Sequence, residues 1–378
     1  MKLIERLAAP LLFLLLAAFC LFQSVRKPEY NWDMIAYIAC ANSFEQHNAE
    51  SLHWSAFQET RNAVPAAKYA ELVDETGDSY RHSVSSNAAA FGEQLPNYRT
   101  RLIYTSLIYL LNKAGANIVF ATHLISGLAV GAAIGLLYFM SAAFLAKPLI
   151  YAVPPLALIF EVRQVTVLST PDGLAFLAII ASIYLYLKSR VTLLLIVLPI
   201  IIGVRTDLIL FTIPLLFFIF LFDNKNRWKA ALSAIISIAV YIGLGAYFGY
   251  VGWSVIFYHS FIELSAHQIS APPTLTASQY FNILFRGSII MFFNKAFSVY
   301  ALLTVYSFYL IRSRVMKTSA ALKSFPAVLT YVCFIYVAVH FALFPSDWER
   351  YFTASYMVGS FAFLMLINDR LNESLISD

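Results

Sequence analysis

The sequence is poor in charged residues. Only 12% of its 378 residues are Asp, Glu, Lys or Arg, which is about half the fraction that soluble domains carry. So little charge excludes an ordinary soluble domain, because such a domain needs a polar surface toward water. The net charge of +5 is explained by short basic segments, and we expect no nucleic-acid partner.

Cysteine is also scarce, with three residues in the chain. Cys20 and Cys333 lie in apolar segments, and Cys40 follows the first of them in a loop. No CxxC pair, HExxH motif or other Cys/His ligand spacing is present. The sequence therefore predicts neither a zinc site nor a disulfide framework.

Long apolar runs take the place of charge. Hydrophobic residues make up 60% of the chain, and many runs approach or exceed the roughly 18 residues that mark a membrane-spanning helix. The first run lacks a small-x-small cleavage site, so we interpret it as an uncleaved helix. The predicted fold is an all-α polytopic membrane protein, one transmembrane domain over residues 1–378. Its expected spans are 7–24, 118–145, 149–167, 172–188, 191–204, 206–222, 229–252, 288–311, 325–344 and 351–368.

The loops between these runs differ in charge. The positive-inside rule places the basic loops in the cytoplasm, at 147, 188–190, 223–229 and 312–323. Segment 101–114 is apolar but short and flanked by basic residues, so we interpret it as interfacial or re-entrant. Both termini are then inside. The outer loops are 25–117, which we expect to carry juxtamembrane helices, 168–172, 253–287 and 345–350.

Two isolated carboxylates fall in these outer loops. Asp33 comes just after the first span, and Asp172 comes just before another. A carboxylate at a membrane boundary costs free energy unless it is hydrated, paired or bound to a cation. Each acid could also be an ordinary residue of a helix start, where the helix dipole stabilises an anion. Their location on one side of the membrane favours a shared site.

The order of five short motifs resembles the GT-C superfamily of integral membrane glycosyltransferases. The motifs are Trp-Asp-Met-Ile-Ala-Tyr at 32–37, Arg-Leu-Ile-Tyr at 101–104, Thr-Pro-Asp at 170–172, Arg-Thr-Asp at 205–207 and Arg-Tyr at 350–351. This superfamily includes protein O-mannosyltransferases and aminoarabinose transferases. The resemblance implies transfer of a sugar from a polyprenyl-phosphate carrier to a glycan, lipid or protein acceptor. It implies a site on the outer face, and we expect a bacterial inner membrane and its periplasmic side.

Such a transfer needs a base for the acceptor hydroxyl and cations for the departing phosphate. The resemblance assigns catalytic roles to Asp33 and Asp172, with Asp33 as the base or both acids as ligands of Mg²⁺ or Mn²⁺. These ions suit carboxylate and water ligands. For the phosphate we expect Arg350, Arg205 and Arg163, because the guanidinium fork matches phosphate geometry. Arg205 could instead pair with Asp207 or extend to the membrane interface, and Arg350 could be an interfacial anchor beside Glu349.

Residues in the loop 253–287 add auxiliary candidates. His259, Glu263 and His267 follow an i, i+4, i+8 spacing that predicts one helix face. Such a face could bind a metal, assist proton transfer, contact the acceptor, or simply be a solvated amphipathic surface. Tyr37, in the same motif as Asp33, is the fourth candidate of this group.

Two other functions remain open. A polysaccharide polymerase or ligase would use a polyprenyl-diphosphate glycan, although such proteins usually carry their key residues in a late outer loop. A transporter or flippase would place ionisable residues deep within its helices. His123 and His340 are the mid-span candidates for that path.

Overall fold

The computed structural model describes residues 2–73, 78–316 and 318–377, and every regular element in these ranges is a helix. Large apolar side chains stay exposed on several helices, for example Leu14, Ile235 and Phe293. Such a surface is unusual for a soluble monomer and suits contact with lipid. The all-helical class predicted from the sequence is confirmed.

Five helices in the described residues are long and apolar enough to cross a membrane: Leu7–Arg26, Ile118–Phe144, Arg227–Phe248, Lys295–Val315 and Phe325–Leu343. Four further apolar stretches are shorter: Lys147–Ile159, Asp172–Leu187, Val191–Ile201 and Thr206–Phe222. Both sets fall on predicted spans. The chain therefore has the composition of a multi-pass membrane protein.

The first part of the chain forms one long helix and six short ones. These are α1 (Lys2–Arg26), α2 (Trp32–Asn42), α3 (Ala49–Ala63), α4 (Ala66–Val73), α5 (Ser79–Ser86), α6 (Ala88–Arg99) and α7 (Leu102–Lys113). Helices α2 to α7 bury their own apolar core, which also includes the start of the next helix. Helix α7 has 12 residues, so it is about 18 Å long, much less than the roughly 30 Å of a bilayer core.

The rest of the chain forms the helix bundle. Its first elements are α8 (Ile118–Phe144), α9 (Lys147–Ile150), α10 (Val153–Ile159), α11 (Val162–Val167), α12 (Asp172–Leu187), α13 (Val191–Ile201) and α14 (Ile209–Phe222). They are followed by α15 (Arg227–Phe248), α16 (Trp253–Phe261), α17 (Ala277–Phe293), α18 (Lys295–Val315), α19 (Phe325–Leu343) and α20 (Thr353–Ser377). One large apolar core joins α1 to most of these helices.

The predicted span 149–167 is not one continuous helix. It is divided into α9, α10 and α11. Pro154 and Pro155 lie at the start of α10. Proline lacks an N–H, which a helix tolerates in its first turn, but the proline ring would clash with a preceding helical turn. Glu161 then adopts a φ of 54° between α10 and α11, a left-handed conformation that ends a helix.

Helices α8 and α12 approach closely at Gly173. A Cβ atom at this position would lie 2.8 Å from the Ser126 Cα, so a side chain there would push the helices apart. Ser126 also donates a hydrogen bond to the Thr170 carbonyl oxygen at 2.9 Å. This contact fixes the segment that leads into Asp172.

Candidate active site

A cavity of about 500 Å³ lies between the first-loop helices and the bundle. All four segments predicted as outer loops contribute to its wall. The charged residues that line it are Asp33, Asp78, Asp172, Asp207, Arg81, Arg101, Arg205 and Arg350. Because these residues come from distant parts of the chain, the cavity is a product of the tertiary fold.

Asp33 enters the cavity from the first turn of α2. The Asn31 side chain caps this helix by accepting a hydrogen bond from the Met34 N–H at 3.0 Å. Tyr98 on α6 donates a hydrogen bond from its hydroxyl to Asp33 Oδ1 at 2.9 Å. The Asp33 side chain keeps 30% of its surface exposed, and its Oδ2 lies 3.7 Å from Arg350 Nη1. Asp33 is thus held by one neighbour and open to a ligand.

Tyr37 lies one helical turn beyond Asp33 and also lines the cavity. Its ring is buried and packs edge-on against Tyr98 and Tyr104, with centroids 5.1 Å away in both cases. Burial raises the pKa of the Tyr37 hydroxyl far above its usual range. Tyr37 is therefore a neutral group that supports the Tyr98 ring.

Asp172 is the first residue of α12 and is 4% exposed. The Thr170 hydroxyl and Arg205 Nη1 donate hydrogen bonds to its two carboxylate oxygens. Arg350 Nη1 is a second cationic neighbour, at 3.9 Å from Asp172 Oδ2. Both expected acids therefore reach one cavity, but Asp172 is enclosed and ion-paired while Asp33 is partly open.

Arg205 connects Asp172 to a third carboxylate, Asp207. Its Nε donates to Asp207 Oδ1 at 3.0 Å and its Nη2 to Oδ2 at 2.5 Å. His340 Nε2 lies 3.1 Å from the same Oδ2. The Arg205 guanidinium also lies over the Tyr351 ring, 4.8 Å from its centroid. This network compensates the charge of Arg205 with two carboxylates.

Arg350 lies in the short turn before α20 and faces both Asp33 and Asp172. Its guanidinium stacks near Trp348 and Tyr351, at 4.7 and 5.1 Å from the ring centroids. Burial opposes its charge, but Tyr351, Asp172 and Asp33 outweigh burial and raise the Arg350 pKa. Arg350 therefore bridges the two expected acids as a permanent cation.

Arg101 lines the same cavity at the start of α7. Its Nη1 donates to the Thr100 hydroxyl at 3.0 Å. Unlike Arg205 and Arg350, it forms no ion pair with a carboxylate of the described residues. Its positive charge is thus available to an anionic ligand.

The expected helix face of His259, Glu263 and His267 is not formed, because α16 ends at Phe261. His259 does line the cavity. Its Nδ1 accepts a hydrogen bond from the Ser265 N–H at 3.0 Å, and burial lowers its pKa. Glu263 and His267 lie outside the lining, and His267 Nδ1 is 3.1 Å from Glu93 Oε1 instead.

Arg163 is also outside the cavity lining. It is exposed on α11, just after the left-handed turn at Glu161. Arg163 was expected to contact the phosphate, but the break of the segment 149–167 at Glu161 leaves its side chain exposed on α11. Arg101, which the sequence analysis named only as part of the Arg-Leu-Ile-Tyr motif, does line the cavity.

The carboxylates expected to hold Mg²⁺ or Mn²⁺ are engaged by arginines. Arg205 occupies one oxygen of Asp172, and Arg350 lies within 4 Å of both acids. A divalent cation between Asp33 and Asp172 would meet two guanidinium charges at short range, which is strongly unfavourable. The residues present therefore do not fit a cation that bridges these two acids.

No protein-family model, curated protein or solved structure significantly matches this chain.

Proposed function

We propose that this protein is a GT-C-type glycosyltransferase that moves a sugar from a polyprenyl-phosphate carrier to an acceptor hydroxyl. The observation that carries the proposal is one cavity with carboxylates Asp33, Asp172 and Asp207 and arginines Arg101, Arg205 and Arg350. These acids and arginines sum to no net charge, so an anionic ligand is not repelled. A bacterial inner membrane, with about ten spans and the cavity on its periplasmic side, is the setting we propose.

In this proposal Asp33 is the general base. It keeps one carboxylate oxygen free of direct hydrogen bonds, while Tyr98 orients the other. Asp172 and Asp207 hold Arg205 instead, and both are committed to that ion-pair network. The structural roles of the three acids thus differ although their chemistry is the same.

Arg101 and Arg350 bind the phosphate of the carrier. Arg101 has no carboxylate partner among the described residues, and Arg350 contacts its acids only at 3.7 and 3.9 Å. Both guanidinium groups can therefore turn to a phosphate without breaking a short ion pair. Charge that builds on the phosphate during bond breaking is stabilised by such pre-positioned cations.

The proposed reaction is a displacement at the anomeric carbon of the sugar. The acceptor hydroxyl gives its proton to Asp33 as its oxygen forms the new bond to that carbon. The bond from the anomeric carbon to the phosphate oxygen breaks, and its electron pair leaves with the polyprenyl phosphate. Arg101 and Arg350 hold the leaving group, and no metal ion enters these steps.

The test is transfer of a radiolabelled sugar from a panel of polyprenyl-phosphate donors by the protein in detergent. We expect label in an acceptor fraction with wild type and loss of at least about a hundredfold with Asp33→Asn, because general-base catalysis contributes about 10²–10⁴-fold. Asp223→Asn is the matched control. Asp223 lies outside the cavity and accepts hydrogen bonds from the N–H and the side chain of Asn226.

EDTA should leave transfer unchanged, because the proposed reaction uses no divalent cation. Label that moves from no donor, with Asp33→Asn identical to wild type, would contradict the proposal.

The arginines of the cavity also suit a second function, that of a polymerase or ligase. Arg101 and Arg350, which make no short ion pair with a carboxylate of the described residues, could also hold a diphosphate. A polymerase or ligase with a diphosphate-linked glycan would require such a site. Donors of both kinds in the same assay separate the two functions. For a transporter, His340 contacts the cavity network through Asp207, and flux into vesicles without covalent transfer would favour it.

A further inference from the structure

A cluster of three primary amides lines the cavity. Gln94 and Asn97 are on α6, and Gln268 is in the loop after α16. All three line the cavity and are at most 6% exposed. Burial of polar amides is costly unless their hydrogen bonds are made, so this cluster needs an explanation.

The amides form a chain of hydrogen bonds. Asn97 Nδ2 donates to Gln268 Oε1 at 2.8 Å, and Gln268 Nε2 donates to Gln94 Oε1 at 2.5 Å. Gln94 Nε2 donates to the Ala266 carbonyl oxygen at 2.9 Å. Asn97 Oδ1 is buried and has no hydrogen-bond partner among the described residues. Gln94 is saturated, because its Nε2 also donates to the Ala90 carbonyl oxygen at 3.4 Å and its Oε1 also accepts from the Tyr80 hydroxyl at 3.4 Å. Each amide nitrogen carries two N–H groups, so the unused capacity lies on Asn97 and Gln268.

The loop that carries Gln268 is fixed to α6 by Glu93. The Glu93 carboxylate accepts hydrogen bonds from the Ile269 N–H at 2.7 Å, the Ser270 N–H at 2.9 Å and the Ser270 hydroxyl at 2.7 Å. Burial alone would raise the Glu93 pKa, but these bonds and that of His267 outweigh it and lower the pKa to about 2. The amides are thus held in a defined geometry before any ligand binds.

The amides themselves are uncharged, and aromatic rings surround them. Trp32, Tyr80 and His259 line the same part of the cavity. Tyr80 packs edge-on against both rings, at 5.9 Å from Trp32 and 5.1 Å from His259. Asp78 and Arg81 also line the cavity and form an ion pair at 3.5 Å. Such a mixture of apolar rings and a few fixed polar groups is typical of small-molecule sites.

From this geometry we infer that Asn97 and Gln268, held in place by Gln94, form a subsite for a neutral, polyhydroxylated sugar ring. Amides offer donors and acceptors to neighbouring hydroxyl groups, and the aromatic rings offer surfaces to the C–H groups of the ring. Because the two amides carry no charge, they offer no ion pair to the ammonium group of an amino sugar or the carboxylate of a uronic acid. The inference rests on the proposed function, and it assigns neutral sugar chemistry to the donor sugar or to the acceptor sugar.

The experiment measures binding, with the full-length protein in detergent, and not turnover. Its probes are a bare polyprenyl phosphate, the same carrier with a neutral hexose, the same carrier with an amino hexose, and free neutral methyl glycosides. The hexose should tighten binding of the carrier about tenfold or more if the donor sugar occupies the subsite. If the acceptor sugar occupies it, the hexose adds nothing and the free methyl glycosides bind beside the bare carrier.

The variants are Gln268→Ala and the isosteric Gln268→Glu, with Gln58→Ala on α3, outside the cavity, as the matched control. Gln268→Ala should remove the sugar-dependent part of binding and leave the bare carrier unchanged. Gln268→Glu should shift the binding preference toward the amino hexose. This variant tests the inference even if Gln268→Ala does not fold.

Three results overturn the inference. The first is no sugar-dependent binding in wild type, with neither the carrier hexose nor the free glycosides. The second is equal loss for every probe in Gln268→Ala. The third is a carrier hexose that tightens binding equally whether it is neutral or an amino sugar. If the bare carrier itself does not bind, the proposed function fails. In that case, glycoside binding that depends on Gln268 would still support the subsite, so the two failures are distinguishable.

Discussion

The hydroxyl of Tyr98 lies 2.9 Å from Asp33 Oδ1 and donates a hydrogen bond to it. Burial, followed by the nearby charge of Asp33, raises the pKa of Tyr98, so the phenol remains a donor at physiological pH. The bond fixes the carboxylate so that its second oxygen faces Arg350 and the cavity. Tyr98 is thus a positioning residue for the proposed base.

Replacement of Tyr98 by Phe removes this bond with little change in volume. A hydrogen bond to a charged group contributes about 1.5–3 kcal/mol, so we expect kcat to fall about 10- to 100-fold with little change in KM. Tyr109→Phe is the control, because Tyr109 donates to the exposed Glu45 at 2.9 Å, outside the cavity. An unchanged kcat in Tyr98→Phe would remove Tyr98 from the account.

Arg101 and Arg163 give opposite predictions for carrier binding. Arg101→Gln should weaken the binding of a polyprenyl phosphate about 10- to 100-fold, since it removes a charge-assisted contact to the phosphate. Arg163→Gln should have no effect, because Arg163 is exposed outside the cavity. Titration of both variants with the lipid measures the two dissociation constants. Weaker binding in Arg163→Gln than in Arg101→Gln would refute the phosphate site described above.

Arg205 should matter more for stability than for binding. Arg205→Gln leaves Asp172 and Asp207 without their main cationic partner, and removal of one partner of a buried pair costs about 3–5 kcal/mol. We expect a large drop in the thermal unfolding midpoint and partial recovery in the double variant Arg205→Gln/Asp207→Asn. Lys68→Gln, in an exposed pair with Glu71, should cost less than about 1 kcal/mol. Equal effects of the two single variants would contradict the network.

His259 should make stability depend on pH. Burial lowers its pKa in the folded protein, whereas an unfolded His has a pKa of about 6.5. Below about pH 6.5 the unfolded chain therefore binds a proton that the folded chain does not, and stability falls as the pH falls. Thermal unfolding at several pH values should show a smaller loss in His259→Gln than in wild type. His47→Gln, at an exposed position, is the control, and parallel curves for wild type and His259→Gln would contradict this effect.

The sequence was informative where one local property decides the structure. Long apolar runs predicted the bundle helices. The loop charges assigned Asp33, Asp172 and Arg350 to outer segments, and these three residues line one cavity. Gly173 allows the close approach of α12 to α8. That contact is set by two helices together and is not visible in either one alone.

The missed residues lie where tertiary contacts decide. Gln94 and Asn97 are ordinary amides in a polar loop until Gln268, more than 170 positions later, packs against them. The spacing of His259, Glu263 and His267 predicted a helix face, but the chain leaves the helix after Phe261. Asp207 and His340 carried a signal, an ionisable residue within an apolar stretch, although their pairing could not be read from spacing.

The most direct measurement is an experimental structure of Asp33→Asn with a polyprenyl-phosphate sugar bound. The variant should retain the donor because it lacks the proposed base. We predict the phosphate within hydrogen-bond distance of Arg101 and Arg350, with the anomeric carbon facing residue 33. A headgroup bound outside the cavity, or a phosphate that contacts neither arginine, would contradict the central claim that this cavity is the site of sugar transfer.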